Sequence, residues 1–153
     1  MTRIDFYGLP EVRREARERF AVRLVTRAWR EGLRSLLLLA DDDSRRRLDE
    51  ALWADEGAFL PHATLGDEDA ARAPVLLATP ERLGPETLVS EHASGLLVNL
   101  TDAVPECFAA FDRVAEIVCQ DDEVRARSRE NYRFYRERGY PLEYHELDSG
   151  RGR

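Results

Sequence analysis

The sequence contains no lysine. All 23 basic residues of the 153-residue chain are arginine, set against 30 Asp and Glu for a net charge of −7. A lysine nucleophile, a Schiff base and a P-loop lysine are therefore excluded. The negative balance also argues against a protein that coats nucleic acid over its whole surface, because phosphate binding needs a strong cationic field. Only two cysteines are present, Cys107 and Cys119. They are too few for a disulfide framework, and no further ligand spacing suggests zinc, so they read as ordinary buried thiols. No apolar run approaches the roughly 18 residues that a membrane helix requires. Arg3 and Asp5 stand where a signal peptide would place its apolar stretch, so the cytoplasm is the expected location. With seven Pro, nine Gly, 43% hydrophobic and 35% charged residues, the composition is globular. One domain is expected over residues 1–147, with a disordered tail at 148–153.

The pattern that is present alternates strands and helices. Residues 3–8 read as a strand, and a helix follows from Pro10 to about Glu31, with Val12, Ala16, Phe20, Leu24 and Ala28 inward and Val25 and Trp29 beside them. Gly32 ends it. Residues 33–40 form a continuous apolar run, as in a strand buried on both faces of a parallel sheet. A helix over 44–54 turns Leu48, Leu52 and Trp53 inward and leaves Arg45, Arg46 and Arg47 in water, with an acidic or Ser side chain of 41–44 as its N-cap. Residues 55–72 read as a surface loop, 73–78 and 96–100 as apolar strands, and the intervening 79–94 as loop. A short helix at 105–111, a strand at 113–119, a helix at about 121–138 capped by Asp121 or Asp122 and stopped by Gly139, and a strand at 141–147 complete the series. The sum is an α/β three-layer sandwich, Rossmann-like, around a largely parallel central sheet.

Catalytic signatures are sparse. The first strand-to-helix turn, Gly8-Leu9-Pro10, has one glycine and not the run that lets backbone amides approach a pyrophosphate. Asp41, Asp42 and Asp43 suit a solvated helix cap better than a ribose or metal site. His62, His92 and His145 share no metal-ligand spacing, and no nucleophile elbow surrounds Ser90 or Ser94. Cys107 lies in an apolar helical segment, where a thiol is packed rather than activated. No catalytic residue, cofactor or metal is assigned.

The last helix is different. Residues 125–138 hold six arginines against two glutamates, a net +4 that leaves −11 for the remainder of the chain. At about 100° per residue, Arg125, Arg129, Tyr132, Arg133 and Arg136 share roughly a third of the helix circumference. Two readings stand side by side: a solvated face whose arginines pair with nearby carboxylates, or a cationic stripe with an aromatic ring that binds carboxylates or phosphates. Trp53, Phe59, Leu60 and Pro61 form a second candidate, either a cover for the core or a protein-partner surface.

Several blocks in order carry a resemblance: Asp5-Phe6-Tyr7, Ala28-Trp29-Arg30-Glu31-Gly32, Leu48-Asp49-Glu50-Ala51-Leu52-Trp53, Phe59-Leu60-Pro61-His62, Ala73-Pro74-Val75, Leu97-Val98-Asn99-Leu100, and Arg129 to Arg136 leading to Gly139-Tyr140. Together they resemble the chi subunit family of bacterial DNA polymerase III over nearly the whole chain. The resemblance implies a non-catalytic clamp-loader accessory protein with a Rossmann-like fold. It implies two partners, the psi subunit and the acidic C-terminal tail of single-stranded DNA-binding protein, which ends in a hydrophobic residue with a free carboxylate. DNA is then reached indirectly. The implied tail site comprises Val118, Arg125, Arg129, Tyr132 and Arg133. The implied psi-facing side, alternatively used by a helicase, comprises Trp53, Phe59 and Pro61. Two stretches depart from the family pattern: 79–94, and the acidic loop from Gly66 to Arg72. A small nucleotide-binding or nucleotide-processing enzyme on the same fold is the alternative.

Overall fold

The computed structural model describes residues 1–54, 60–68, 70, 72–83 and 95–148. Within them lie seven strands, β1 (Arg3–Gly8), β2 (Ser35–Leu39), β3 (His62–Thr64), β4 (Val75–Ala78), β5 (Leu96–Leu100), β6 (Arg113–Val118) and β7 (Leu142–Glu146). Three α-helices accompany them, α1 (Glu15–Arg30), α2 (Asp42–Ala54) and α3 (Asp122–Glu137), with a 3-10 turn at Phe108–Ala110. The strands form one sheet in the order β3-β4-β2-β5-β6-β1-β7, and every neighbouring pair is parallel.

A parallel sheet requires cover on both faces, and strand alternation supplies an apolar side to each. Leu37, Leu39, Val75, Leu77, Val98 and Ile117 pack with Ala16, Phe20, Ala21 and Val25 of α1 and Leu48 and Leu52 of α2. Ile4, Phe6, Leu36, Leu38, Leu97 and Val114 pack on the opposite face with Phe108, Val124 and Tyr135. The result is the expected three-layer α/β sandwich. The β6–α3–β7 crossover straddles β1, which lies between those two strands, so α3 runs over the face of β1 that carries Phe6.

Several expectations need correction. The first helix begins at Glu15 and not at Pro10, and Val12 is 65% exposed. Residues 9–14 instead tie the start of α1 to the β6–α3 turn. The Leu9 amide donates to the Val118 carbonyl at 2.7 Å, the Gln120 amide donates to the Glu11 carbonyl at 2.7 Å, and Arg14 pairs with Asp121 at 3.2 Å. Residues 62–64, read as loop, form the edge strand β3. Its three residues are too few to carry an alternation signal. Trp53 does not face inward: it is 61% exposed, tilted against the His62 ring at 4.8 Å. Arg45 is not fully in water, because its stem lies along α2 and its guanidinium reaches Asp42 at 2.7 Å and the Thr64 hydroxyl at 3.1 Å. The segment 105–111 holds only the 3-10 turn.

Other readings hold. Asp41 accepts from the Ser44 amide and hydroxyl at 2.8 Å and caps α2. Asp121 caps α3 by accepting from the amides of Glu123 and Val124 at 3.0 and 3.1 Å. Gly139, at φ +78°, ends α3. Residues 84–94, including His92, Ser90 and Ser94, and residues 149–153 of the expected tail lie outside the described residues. No helix among the described residues is long and apolar enough to cross a membrane.

The entry to β5 depends on a close backbone approach. A Cβ at Gly95 would lie 2.1 Å from the Arg34 carbonyl oxygen, which accepts the Leu96 amide at 2.8 Å. Gly95→Ala is expected to pry β5 from β2 and to lower stability by about 1–3 kcal/mol, the usual range for forced overpacking. Urea unfolding checks this, and an unchanged midpoint contradicts it.

Candidate functional site

The site begins with the inner face of α3. Tyr135, fully buried, donates its hydroxyl to Glu116 Oε2 at 2.8 Å, and Asn99 Nδ2 donates to the same oxygen at 2.9 Å. Asn99 Nδ2 also donates to the Ala103 carbonyl at 2.9 Å, while Asn99 Oδ1 accepts from the Thr101 amide and hydroxyl. Phe108 packs edge-on against Tyr135 at 5.3 Å and Tyr140 at 5.1 Å. These contacts fix the rotation of α3 and leave the opposite side of the helix outward.

On that outward side Arg125, Arg129, Arg133 and Arg136 are exposed and Tyr132 is half-buried. Among the described residues these four arginines form no ion pair within 4.0 Å. Other arginines do pair with carboxylates: Arg45 and Arg46 with Asp42 and Asp43, Arg47 with Glu18, and Arg3 with Asp5. Among the described residues, then, the stripe is not neutralised by pairing with carboxylates. The stripe borders a cavity of about 470 Å³ lined by Val118, Arg125, Arg129, Tyr132 and Arg133, all five residues of the implied tail site.

The cavity has four further lining residues that the sequence reading missed: Phe6, Gln120, Ser128 and Tyr144. Phe6 forms its floor, with the Tyr132 ring at 5.2 Å and the Tyr144 ring nearly parallel at 6.2 Å. Phe6 read only as part of a strand, and nothing local in the sequence says that the edge strand β7 brings Tyr144 beside it. The register does so, pairing Phe6 with Tyr144. The arrangement suits a ligand with an anionic portion and an apolar end: guanidinium forks on one side, aromatic rings on the other.

The second candidate surface is partly described. Trp53 is exposed, Pro61 is half-buried, and Leu60 is 2% exposed and belongs to the core. Phe59 lies outside the described residues. His62 Nε2 meets Asp49 at 3.1 Å and Nδ1 meets the Leu60 carbonyl at 2.8 Å, so its ring holds this corner together.

Two other places bear on chemistry. Asp5, Glu143 and His145 bring ligand atoms within 4.8 Å of one another. Arg3 already bridges Asp5 at 3.3 Å and Glu143 at 3.5 Å, so a guanidinium supplies the positive charge there. A crevice of about 650 Å³ opens where the chain leaves β2 towards β4 and β5 towards β6, the position at which doubly wound folds take nucleotides. Among the described residues its lining, which includes Leu38, Val104, Pro105 and Cys107, contains Glu106 and no basic residue, a poor match for phosphate. Burial raises the Cys107 thiol above its ordinary pKa, which opposes thiolate chemistry there.

Comparisons with known proteins identify a family. The family model described as DNA polymerase III chi subunit, HolC, matches residues 1–143. A DNA polymerase III subunit chi from Pseudomonas aeruginosa is 43% identical over 148 residues, covering 96% of this chain and 98% of that protein. Its counterpart from Escherichia coli K12 is 31% identical over 126 residues, 82% of each chain. That from Haemophilus influenzae is 28% identical over 139 residues, covering 90% of this chain and 92% of the relative.

Burial raises Glu116 from 4.5 to about 7, against the opposing hydrogen bonds of Asn99 and Tyr135 and the charge of Arg17. The folded state therefore holds this proton longer than the unfolded chain, and its stability falls as pH rises from 4.5 to 7 and levels off above. Glu116→Gln is expected to abolish this contribution, so that its stability relative to wild type rises by about 3 kcal/mol between pH 4.5 and 8. Urea denaturation at both pH values measures it. A difference that does not change with pH contradicts it.

Proposed function

This chain belongs to the DNA polymerase III chi subunit family, a replication accessory subunit, and from that premise we propose that it is a non-catalytic adaptor that binds the acidic C-terminal tail of single-stranded DNA-binding protein on α3 and the psi subunit on the side of Trp53, Phe59 and Pro61. The observation that carries the tail reading is the coincidence, on one helix face, of an aromatic-floored cavity and four arginines that form no ion pair among the described residues. A tail with several carboxylates and a hydrophobic last residue presents the complementary groups in the same sequence.

In this reading Arg125, Arg129 and Arg133 take the carboxylates as charge-assisted forks, while Val118 and Tyr132 border the space for the terminal apolar side chain. A fork grips a carboxylate through two parallel N–H donors, which fixes direction as well as charge. The contact is exposed and therefore salt-sensitive and individually weak. Many tails presented along one coated strand raise the effective concentration and make it useful. Psi then links the subunit to the clamp loader, and the exposed Trp53 indole supplies an anchor of the type that dominates protein interfaces. In the family this side is alternatively used by a helicase. DNA is reached through the coating protein, consistent with a chain whose net charge is −7. The nucleotide-enzyme alternative is disfavoured by the switch-point crevice, whose lining among the described residues offers no cation.

Arg129→Ala is expected to weaken binding of an acidic tail peptide by about 1–3 kcal/mol, the range for losing a hydrogen bond to a charged group. Fluorescence anisotropy at two salt concentrations measures it, and unchanged affinity sinks the assignment. Trp53→Ala is expected to abolish copurification with psi while leaving tail-peptide affinity intact. Retained copurification would remove Trp53 from that interface.

A further inference from the structure

The arginine stripe reads carboxylates, and carboxylates are common. Discrimination for the last side chain of a bound tail must come from the apolar end of the cavity. That end has a floor, Phe6, and one wall from α3, Tyr132. The opposite wall comes from the edge strand β7, whose outer side has no neighbouring strand in the sheet. Without a large ring there, the slot would be open to solvent along its whole length.

We propose that Tyr144 is a specificity-determining residue of this site: its ring, laid over Gly8 and alongside Phe6, closes the apolar end into a slot around the last side chain of a bound tail. The inference rests on the tail-binding reading above and adds to it the residue that shapes that end. Three observations support it. Tyr144 is a large ring 48% exposed on a solvent edge, yet it lines the cavity and lies 11° from parallel with Phe6. Gly8 makes room for it, since a Cβ there would come to 2.5 Å from the Tyr144 hydroxyl oxygen. This is the use of a glycine that, read as part of a nucleotide turn, had none. Finally, the register pairs Tyr144 with Phe6 across β1 and β7, which puts the ring on the side of the sheet that carries the cavity floor.

Burial and the neighbouring Glu146 raise the hydroxyl pKa against the opposing charge of Arg125, so the wall is an uncharged ring at neutral pH. An aromatic side chain entering the slot would rest on Phe6 between two tyrosines. The gain is that of one added aromatic pair, about two- to tenfold in affinity.

The test titrates the full chain with two acidic peptides that differ only in ending in Phe or in Ala, each with a free carboxylate. Wild type is expected to prefer the Phe peptide. Tyr144→Ala is expected to shrink that preference by about two- to tenfold with little effect on the Ala peptide, as one lost aromatic pair predicts. Tyr144→Phe is expected to keep it. Gly8→Ala, which displaces the ring, should act like Tyr144→Ala, whereas Arg129→Ala should weaken both peptides alike. On the unmutated chain, the Tyr144 ring resonances should shift with the Phe peptide and much less with the Ala peptide. A Tyr144→Ala chain that keeps the preference, or loses both peptides equally, overturns the inference while leaving tail binding intact. Wild type that binds neither peptide overturns the tail reading itself.

Discussion

The bond from the buried Tyr135 hydroxyl to Glu116 governs the placement of everything outside it. Glu116 sits mid-sheet on β6, in register with Phe6 on one neighbour and Asn99 on the other. A polar contact at that depth is costly to leave unmade and satisfied in few geometries. It therefore specifies the rotation of α3 more sharply than apolar packing would. Tyr132, three residues earlier, is then turned over Phe6, while Arg129, Arg133 and Arg136 are turned to water. One buried hydrogen bond on the inner side of the helix sets the chemistry of its outer side.

The topology supplies the second constraint. Because β1 lies between β6 and β7, the β6–α3–β7 crossover passes above it, and side chains from α3, β1 and β7 converge on one cavity. There β1 meets α3 and β7, which follow it by more than a hundred residues in the chain. The ties between residues 9–14 and the β6–α3 turn, through Leu9, Gln120, Arg14 and Asp121, hold the mouth of the cavity near Val118 and Gln120. The N-cap of α3 is part of the same tie, because Asp121 both caps the helix and accepts Arg14.

Much of this was legible in the sequence, for physical reasons that differ by element. Buried parallel strands write themselves as uninterrupted apolar runs, so β2 and β5 were evident, and the arginine periodicity of α3 needed only the helical angle. What escaped was set by tertiary partners. Val12 looks like a core residue of the first helix, but the segment is claimed by the Gln120 and Asp121 turn before the helix starts. Trp53 falls on the same helical side as residues that do go inward, and its indole lies instead on the His62 ring. β3 is three residues long. Phe6 and Tyr144 became site residues only through register, which no local pattern encodes. Glu116 stands in an apolar strand as an apparent flaw, and its meaning depends on Tyr135 and Asn99, 19 and 17 positions away.

The absence of lysine acquires its meaning from where the acids go. Asp41 to Asp43 and Glu18 are spent on the α1 and α2 side, capping α2 and pairing with Arg45, Arg46 and Arg47. Asp5, although buried beneath the far edge of the sheet, is shared by Arg3, Arg113 and His145. An acidic protein can present a cationic surface only if its carboxylates are held elsewhere, and here they are held by structure and not by chance proximity. The remainder, a +4 helix in a −11 body, is a local cationic field on a chain whose net charge otherwise repels polyanions. Guanidinium is the suitable cation for the proposed tail site, because its planar fork would orient a carboxylate and direct the apolar end of a tail at the aromatic slot. An ammonium would offer the same charge without the direction. The composition therefore favours a surface that discriminates between anions over one that merely collects them.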